Sequence, residues 1–319
     1  MRYIAQKLLQ LVVVLLLVTF LTFLLLNLLP GGPETAALGV GASEEQIAEF
    51  RAEQNLDDPL LVRYASWLGN ALQGDLGESP ITNTSVSDLL SHNLTPTLQL
   101  MLYATVLALV VSIPMGILTA YKADSWFDKS ANTAAFGLLA LPNYILGVLL
   151  VFLFAGQGMF DWLPPSTYVP LGEDPYEHFR HMILPTIALA AGQIAVYMRL
   201  LRTDMIATLQ EDFIGVARAK GMPTRRILLR HALRPSSFSL LTVAAINIGT
   251  LIGGTIVIEQ IFTIVGLGTL LVRAIFTRDY LVVQGAIVIV AVGFVLVNFL
   301  VDILYAVLDP RIRHARSLS

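Results

Sequence analysis

The titratable side chains of this chain form no catalytic or nucleotide-binding pattern. Cysteine is absent, which excludes disulfides, thiolate metal sites and cysteine nucleophiles. The sequence lacks H-E-x-x-H, G-x-S-x-G and G-x-x-x-x-G-K-[ST], the patterns of zinc proteases, serine hydrolases and phosphate-binding loops. The histidines lie in loops or near the ends of apolar stretches: His92, His178, His181, His231 and His314. We therefore expect no catalytic residue, no metal site and no cofactor in this chain.

Uncharged polar side chains also lie inside long apolar stretches. Such groups most often hydrogen-bond a neighbouring helix, but they can also line a path for a polar solute. The candidates for a path are Asn143, Gln193, Tyr197, Asn247 and Thr250. Glu259 and Asp302 lie near the ends of apolar stretches, where a carboxylate can snorkel, cap a helix or act directly. The residue types alone leave these interpretations open.

Two of the apolar stretches also carry small residues four positions apart. These are Ala188 with Gly192 in one stretch, and Ala245, Gly249 and Gly253 in another. Small side chains let helix backbones approach closely in lipid. The pattern is explained either by packing within the chain or by an interface between two subunits.

The segment from Arg202 to Pro235 combines small residues with a row of arginines. It contains the run Gly215-Val216-Ala217-Arg218-Ala219-Lys220-Gly221, and it continues with Thr224 and with Arg226, Arg230 and Arg234. Gly221 is predicted to end a short helix, because glycine adopts the left-handed conformation cheaply. Thr224 is predicted to cap a second helix, with the arginines on one face and Ile227 on another. The spacing supports docking to a groove on a partner protein and anchoring to anionic lipid equally.

Composition identifies the elements that must position these groups as membrane helices. Apolar residues make up 55% of the 319 residues and charged residues only 13%, against about 25% charged in soluble chains. The net charge of −3 gives no sign of a nucleic-acid partner. Six stretches are long enough to cross a membrane: 8–29, 98–120, 133–155, 183–202, 238–258 and 284–308. The first lacks a cleavage site and is interpreted as a retained helix.

The distribution of charge predicts the orientation of the chain. The side that holds both termini and the loops after the second and fourth stretches carries 15 of the 20 lysines and arginines. By the positive-inside rule that side is the cytoplasm. The external loop 30–95 contains helix-start signals at Ser43 with Gln46, at Asp58-Pro59 and at Thr95-Pro96, the last opening the second span. Its acidic surface is either simply solvated or a docking face for an external partner.

Several motifs, in order along nearly the whole chain, resemble one family of transport proteins. The Ala217-Arg218-Ala219-Lys220-Gly221 run is similar to the cytoplasmic signature of ABC importer permeases, specifically the B-type subunit of the peptide and nickel family. The first residues of the broad signature, Glu-Ala-Ala, are replaced here by Gly215, Val216 and Ala217. The other matching motifs are Leu28-Leu29-Pro30-Gly31, Gly74-Asp75-Leu76-Gly77, Gly266-Leu267-Gly268, Arg278-Asp279-Tyr280, Val283-Gln284-Gly285 and the ending through Asp309-Pro310-Arg311.

The resemblance implies an all-α polytopic membrane protein with six transmembrane helices of the type I importer permease kind and a small helical external cap. It implies domains 1–29, 30–95, 96–308 with a coupling loop at 203–237, and a cytoplasmic tail at 309–319. Residues 215–221 would dock on the ATPase.

The implied partners are a C-type permease subunit in a heterodimer, ABC ATPase subunits that hold ATP and Mg²⁺, an extracytoplasmic binding protein and membrane lipids. The implied location is the plasma membrane of a prokaryote, with both termini cytoplasmic. Peptides are the expected substrate class, with nickel chelates, glutathione or another small ligand as the alternative. An exporter or channel, and an intramembrane enzyme, are the competing function classes. The missing cytoplasmic extensions argue against the first and the missing catalytic pairs against the second.

Overall fold

The chain folds almost entirely into helices. The computed structural model describes residues 2–28, 32–39, 41–53, 55–156, 159–164 and 167–308. Its elements are α1 (Arg2–Leu28), α2 (Pro33–Leu38), α3 (Glu44–Glu53), α4 (Leu60–Ala71), β1 (Glu78–Ser79), β2 (Thr84–Ser85), α5 (Val86–Tyr121), α6 (Trp126–Ala140), α7 (Asn143–Phe154), α8 (Pro175–Leu209), α9 (Asp212–Ala219), α10 (Thr224–Arg226), a π-helical turn (Ile227–Ala232), α11 (Leu233–Ile261), α12 (Leu267–Thr277) and α13 (Tyr280–Leu308). The two short strands pair antiparallel.

Most of the long helices have the length and apolar character of membrane spans. Among the described residues, five helices qualify: Leu9–Leu28, Val86–Tyr121, Pro175–Leu209, Thr224–Ile261 and Tyr280–Leu300. Together α6 and α7 also qualify, although they are bent by 101°, and they make six spans if the pair is counted as one. The predicted all-α polytopic membrane fold is confirmed.

The predicted third span, 133–155, is broken into two helices. Leu141 stands between them with an extended backbone, at φ −92° and ψ 119°. The cause is Pro142, because a proline ring clashes with a helical residue before it, while its own fixed φ suits a helix start. The carbonyl of Pro142 accepts the first hydrogen bond of α7, from Leu146 N–H at 3.1 Å. The predicted stretch is therefore bent and not one continuous helix.

The start predicted at Thr95-Pro96 was also wrong. The helix α5 begins at Val86, so residues 86–95 of the predicted external loop are helical and continuous with the span. Pro96 therefore lies inside the helix, where it supplies no N–H to the ladder. Thr97, the next residue, makes a hydrogen bond to a residue far away in the sequence: the Leu267 N–H donates to Thr97 Oγ1 at 2.8 Å. Contacts distant in sequence outweigh the local signal here.

The chain divides into two compact units. Unit 1 comprises Met1–Thr97 and Val265–Phe299, and unit 2 comprises Leu98–Ile264 and the chain from Leu300 onward. Unit 2 is built around α8, which packs against α6, α7 and α11. This division differs from the predicted one, because residues 265–299 of the predicted core cluster with the N-terminal segment.

Unit 1 contains the predicted external helices. The capping box before α3 is present, since Ser43 N–H donates to Gln46 Oε1 at 3.0 Å and Gln46 N–H donates to Ser43 Oγ at 3.2 Å. The helix α4 begins directly after Pro59, as predicted. Its Tyr64 packs edge-on against Phe20 of α1, with ring centroids 5.2 Å apart. The predicted helix starts of this loop are thus confirmed at two of three positions.

Some predicted features lie outside the described part of the chain. These are residues 29–31 of the first motif, the Asp309-Pro310-Arg311 ending and the tail 309–319. The side chain of Asp302 is also outside it.

Candidate functional site

The helix α9 contains residues 215–219 of the run 215–221 that is predicted to dock on the ATPase. One face of α9 packs against the rest of unit 2. Ile214 and Ala217 are buried and belong to the apolar core of that unit. Asp212 in its first turn and Arg218 in its last turn have the charges that the helix dipole favours. Glu211 precedes the helix without a side-chain hydrogen bond to it. An eight-residue helix is marginal alone, so its buried face must hold it in place.

The opposite side of α9 exposes small and apolar groups. Phe213 is 47% exposed and Val216 54% exposed, and they lie three positions apart, so they share a face. Gly215 and Ala219 are also exposed, and a Cβ atom on Gly215 would meet nothing within 4 Å. The described part of the chain thus leaves this surface uncovered, with room for another backbone to approach.

Gly221 ends α9 in the left-handed conformation that its residue type predicted. Its φ is +71°. Its N–H donates to the carbonyl of Arg218 at 2.9 Å, and the Met222 N–H donates to the carbonyl of Ala217 at 3.2 Å. These two bonds form a Schellman motif, which satisfies carbonyls at the helix end. A side chain on residue 221 would meet no atom within 4 Å, so only the backbone conformation demands glycine.

The second helix of the segment differs from the predicted one. Pro223 occupies the N-cap position and Thr224 is the first helical residue, without a capping hydrogen bond. The prediction that Thr224 caps this helix was wrong, because proline already presets the backbone of a helix start. After one turn the chain forms the π-helical turn and then continues into α11. Ile227 is buried, whereas the arginines at 226, 230 and 234 are all exposed.

Four of the five candidate path residues line one cleft in unit 2. Asn143, Gln193, Asn247 and Thr250 border a space of about 310 Å³ between α7, α8 and α11. The break at Pro142 matters here, because it places Asn143 at the start of α7. Gly254 has no side chain, which lets the walls of the cleft lie close together. A Cβ atom there would lie 3.3 Å from Leu189 and 3.6 Å from the Asn143 amide nitrogen.

Tyr197 is not part of the cleft wall. It is fully buried and donates to Gln193 Oε1 at 2.9 Å. The Gln193 Nε2 group is buried without a hydrogen-bond partner among the described residues. Tyr197 therefore helps to orient the Gln193 amide, whose oxygen accepts its hydrogen bond. Tyr197 is thus absent from the lining of this cleft, and its assignment to the path stays a prediction.

A buried ion pair that no local sequence signal indicated joins α8 to α6. Arg202 near the end of α8 donates from Nε to Asp128 Oδ1 at 2.6 Å and from Nη2 to Oδ2 at 2.5 Å. Asp128 is buried, and its N–H donates to Ser125 Oγ at 3.2 Å, which starts α6. The Ser125-x-x-Asp128 spacing could have revealed that helix start, but no local signal points to Arg202.

Of the two acids near the ends of apolar stretches, only Glu259 has a described side chain. Glu259 is fully buried in α11. It therefore does not snorkel to a surface of this chain.

The small residues spaced four apart lie in α8 and α11, which pack against each other. The residues at 188, 192, 245 and 249 are buried or partly buried, whereas Gly253 is exposed. A Cβ atom on Gly192 or on Gly253 would meet nothing within 4 Å, so packing within the described chain does not explain these two glycines and an interface between subunits stays the alternative for them.

Comparison with family models covers nearly the whole chain. Residues 112–314 match the binding-protein-dependent transport system inner membrane component, and residues 1–101 match the N-terminal part of the membrane component of the same kind of system. These matches span both units of the structure.

Individual relatives are similar along their full length. A putative peptide transport system permease protein of Brucella abortus is 40% identical over 98% of this chain and 98% of its own. The oligopeptide transport system permease protein AppB of Bacillus subtilis is 38% identical over 98% and 99%. The glutathione transport system permease protein GsiC of Escherichia coli is 35% identical over the same shares.

Proposed function

This chain belongs to the family of inner membrane components of binding-protein-dependent transport systems, and we propose that it is the permease subunit of an ATP-driven importer of peptides. A multi-pass membrane protein of this family supplies the path and not the energy. The proposed assembly adds a C-type permease subunit, ABC ATPase subunits that bind ATP and Mg²⁺, and an extracytoplasmic binding protein. Peptide is favoured as the substrate because similar relatives are named for peptide and oligopeptide transport.

The observation that carries this proposal is the two-sided helix α9. Its buried face holds it to the core of unit 2, whereas Gly215, Val216 and Ala219 remain exposed in the described part of the chain. A partner that moves α9 would therefore move α8 and α11 with it, because the core is close-packed and transmits displacement. This arrangement supports assigning residues 215–221 to contact with the ATPase.

The cleft supports a path for a solute rich in peptide groups. Side-chain amides at positions 143, 193 and 247 offer both donors and acceptors, and the Thr250 hydroxyl adds one more group. A peptide backbone presents the complementary set at every residue. None of the four is charged, so the cleft suits varied side chains and does not select one strongly.

Glutathione is the second candidate substrate. One relative, at 35% identity over nearly its whole length, is named for glutathione transport. Glutathione is a small peptide-like molecule, so the same amide-lined cleft accommodates it. Competition for uptake between glutathione and a tripeptide separates the two candidates.

The proposed orientation places both termini and α9 in the cytoplasm. It rests on the surplus of lysine and arginine on that side. Because the chain has no cysteine, single cysteines report their side without background. An impermeant thiol reagent should label Ser43→Cys in intact cells and Thr224→Cys only after lysis, and the reverse pattern would invert the orientation.

The whole proposal is tested by reconstituting the chain with subunits encoded beside it. Vesicles that contain the assembled complex should take up a labelled tripeptide when ATP is inside and the binding protein is outside. Omission of this chain should abolish uptake while the ATPase subunits remain active. Equal uptake without this chain would exclude it as the permease.

A further inference from the structure

A cavity in unit 1 has the features of a small-molecule binding site. It occupies about 500 Å³, a size typical of small-molecule sites, and it lies among α1, α4 and the start of α13. Part of its wall is apolar, from Phe23, Val62 and Leu281. The same wall carries side-chain amides, so the lining suits an amphiphilic molecule.

Two buried donors in this wall have no partner among the described residues. They are the indole Nε1 of Trp67 and the amide Nε2 of Gln284. Trp67 is 8% exposed and Gln284 3% exposed. Buried donors are nearly always paired in folded proteins, because an unpaired one costs about 1–3 kcal/mol. Two such residues in the wall of one cavity favour a ligand that carries hydrogen-bond acceptors.

The charged residues of the wall are one cation and one anion. Arg63 lies with its guanidinium carbon 5.6 Å from the centre of the Phe23 ring, and its only hydrogen bond in the described structure is a long one of 3.5 Å to the Leu56 carbonyl. Burial lowers the pKa of Arg63, so the group is partly desolvated. Asp58 supplies the negative charge at the same cavity. Opposite charges in one wall match a molecule that itself carries both.

We propose that this cavity binds a small zwitterionic amphiphile, with Trp67 and Gln284 donating to its carbonyl, carboxylate or phosphate oxygens. Arg63 and Asp58 provide the charges that match its anionic and cationic groups. Two kinds of molecule share this chemistry: a short apolar peptide and a phosphatidylethanolamine headgroup with the start of its acyl chains.

The two sources are separated by the choice of membrane. The full-length chain is placed in nanodiscs of phosphatidylcholine alone or of phosphatidylcholine with phosphatidylethanolamine, and radiolabelled trialanine is titrated without any binding protein. A peptide site gives saturable trialanine binding in both nanodiscs. A lipid site instead gives a thermal midpoint that rises with phosphatidylethanolamine, because a ligand that binds only the folded state stabilises it.

Gln284→Met removes the unpaired amide at nearly constant length, and Trp67→Phe removes the indole N–H. Each should weaken binding of the effective probe by roughly fivefold, the loss of about one neutral hydrogen bond. Gln260→Met, at an exposed glutamine of α11, is the matched control and should change nothing.

A purely structural role of Gln284 would give a different result. The amide nitrogen has no partner in the ligand-free protein, so Gln284→Met should not lower its thermal midpoint. Absence of any response to both probes would overturn the proposal. So would binding that neither Gln284→Met nor Trp67→Phe weakens. Because the readout is binding, either result is independent of whether the chain transports peptides.

Discussion

Ser79 donates a buried hydrogen bond of 2.5 Å to Asp279, a residue 200 positions further along the chain. The acceptor is Oδ2 of Asp279, and Oδ1 of the same carboxyl group accepts from the Val282 N–H at 3.3 Å. One side chain thus caps the start of α13 and ties it to β1. The bond joins the Arg278-Asp279-Tyr280 motif to the strand that follows the Gly74-Asp75-Leu76-Gly77 motif.

Ser79→Ala should destabilise unit 1 by roughly 1.5–3 kcal/mol, because Asp279 would keep its burial and lose a hydrogen bond to a charged group. The thermal midpoint of the purified chain measures this. Ser91→Ala is the control, since the Ser91 hydroxyl is exposed and bonds only within its own helix. Equal midpoints for Ser79→Ala and wild type would show that the bond is not formed in the membrane protein.

Gly285 of α13 packs directly against the first turns of α5. A Cβ there would stand 2.8 Å from Leu90 Cδ1 and 2.9 Å from Val86 Cγ1, and both neighbours are fully buried. Gly285→Ala should therefore cost about 1–3 kcal/mol through overpacking. Gly137→Ala in α6 is the matched control, because its Cβ would meet nothing within 4 Å and alanine favours a helix by about 0.5–1 kcal/mol. A loss of stability at position 137 but not at 285 would refute the close approach.

Local signals in the sequence predicted helix ends well where no distant contact interferes. The left-handed Gly221 and the capping box at Ser43 follow from residue type and spacing alone. Pro96 and Pro142 show the limit, because the first lies inside a continuous helix and the second breaks one. Proline makes a helix break favourable, but whether the chain breaks depends on packing that the local sequence does not contain.

The sequence predicted only part of the candidate cleft, because the packing that forms it is not contained in the local sequence. The residue types identified polar groups inside apolar helices, and four of them meet in one cleft. Periodicity could not show that Tyr197 is buried behind Gln193, since both lie on the same helix four residues apart. The Asp128–Arg202 pair was invisible because it joins residues 74 positions apart.

Arg202→Gln should strongly destabilise unit 2. It would leave the Asp128 carboxylate buried without its cation, which costs about 3–5 kcal/mol. Asp128→Asn combined with Arg202→Gln should recover part of the loss, and the thermal midpoints of the four variants form a double-mutant cycle. Arg199→Gln is the control, because Arg199 stands 4.0 Å from the Phe136 ring centre, a contact worth about 0.5–1 kcal/mol when exposed. Additive effects of the two changes would contradict a direct ion pair.

The proposed path predicts a blocked transporter when the cleft is filled. Thr250→Cys places a thiol at an exposed position of the cleft wall in a chain that has no other cysteine. Reaction with a bulky thiol reagent should abolish tripeptide uptake into vesicles. Ala190→Cys, at a fully buried position, should resist labelling and keep its uptake. Full uptake by completely labelled Thr250→Cys would place the path elsewhere.

The coupling role of α9 is tested most directly at Gly221. A valine there must adopt a φ near +71°, which is costly for a β-branched residue, by about 1–2 kcal/mol or more. The helix end would shift, while insertion in the membrane should survive because the substitution meets no neighbouring atom. Arg230→Gln, an exposed change on the following turn, is the control and should be mild.

The measurement is the stimulation of ATP hydrolysis by the substrate-loaded binding protein in the reconstituted complex, at matched amounts of this chain. We expect Gly221→Val to lose this stimulation and to lose transport, whereas Arg230→Gln should keep both. Wild-type stimulation and transport by Gly221→Val would contradict the assignment of residues 215–221 to the ATPase contact.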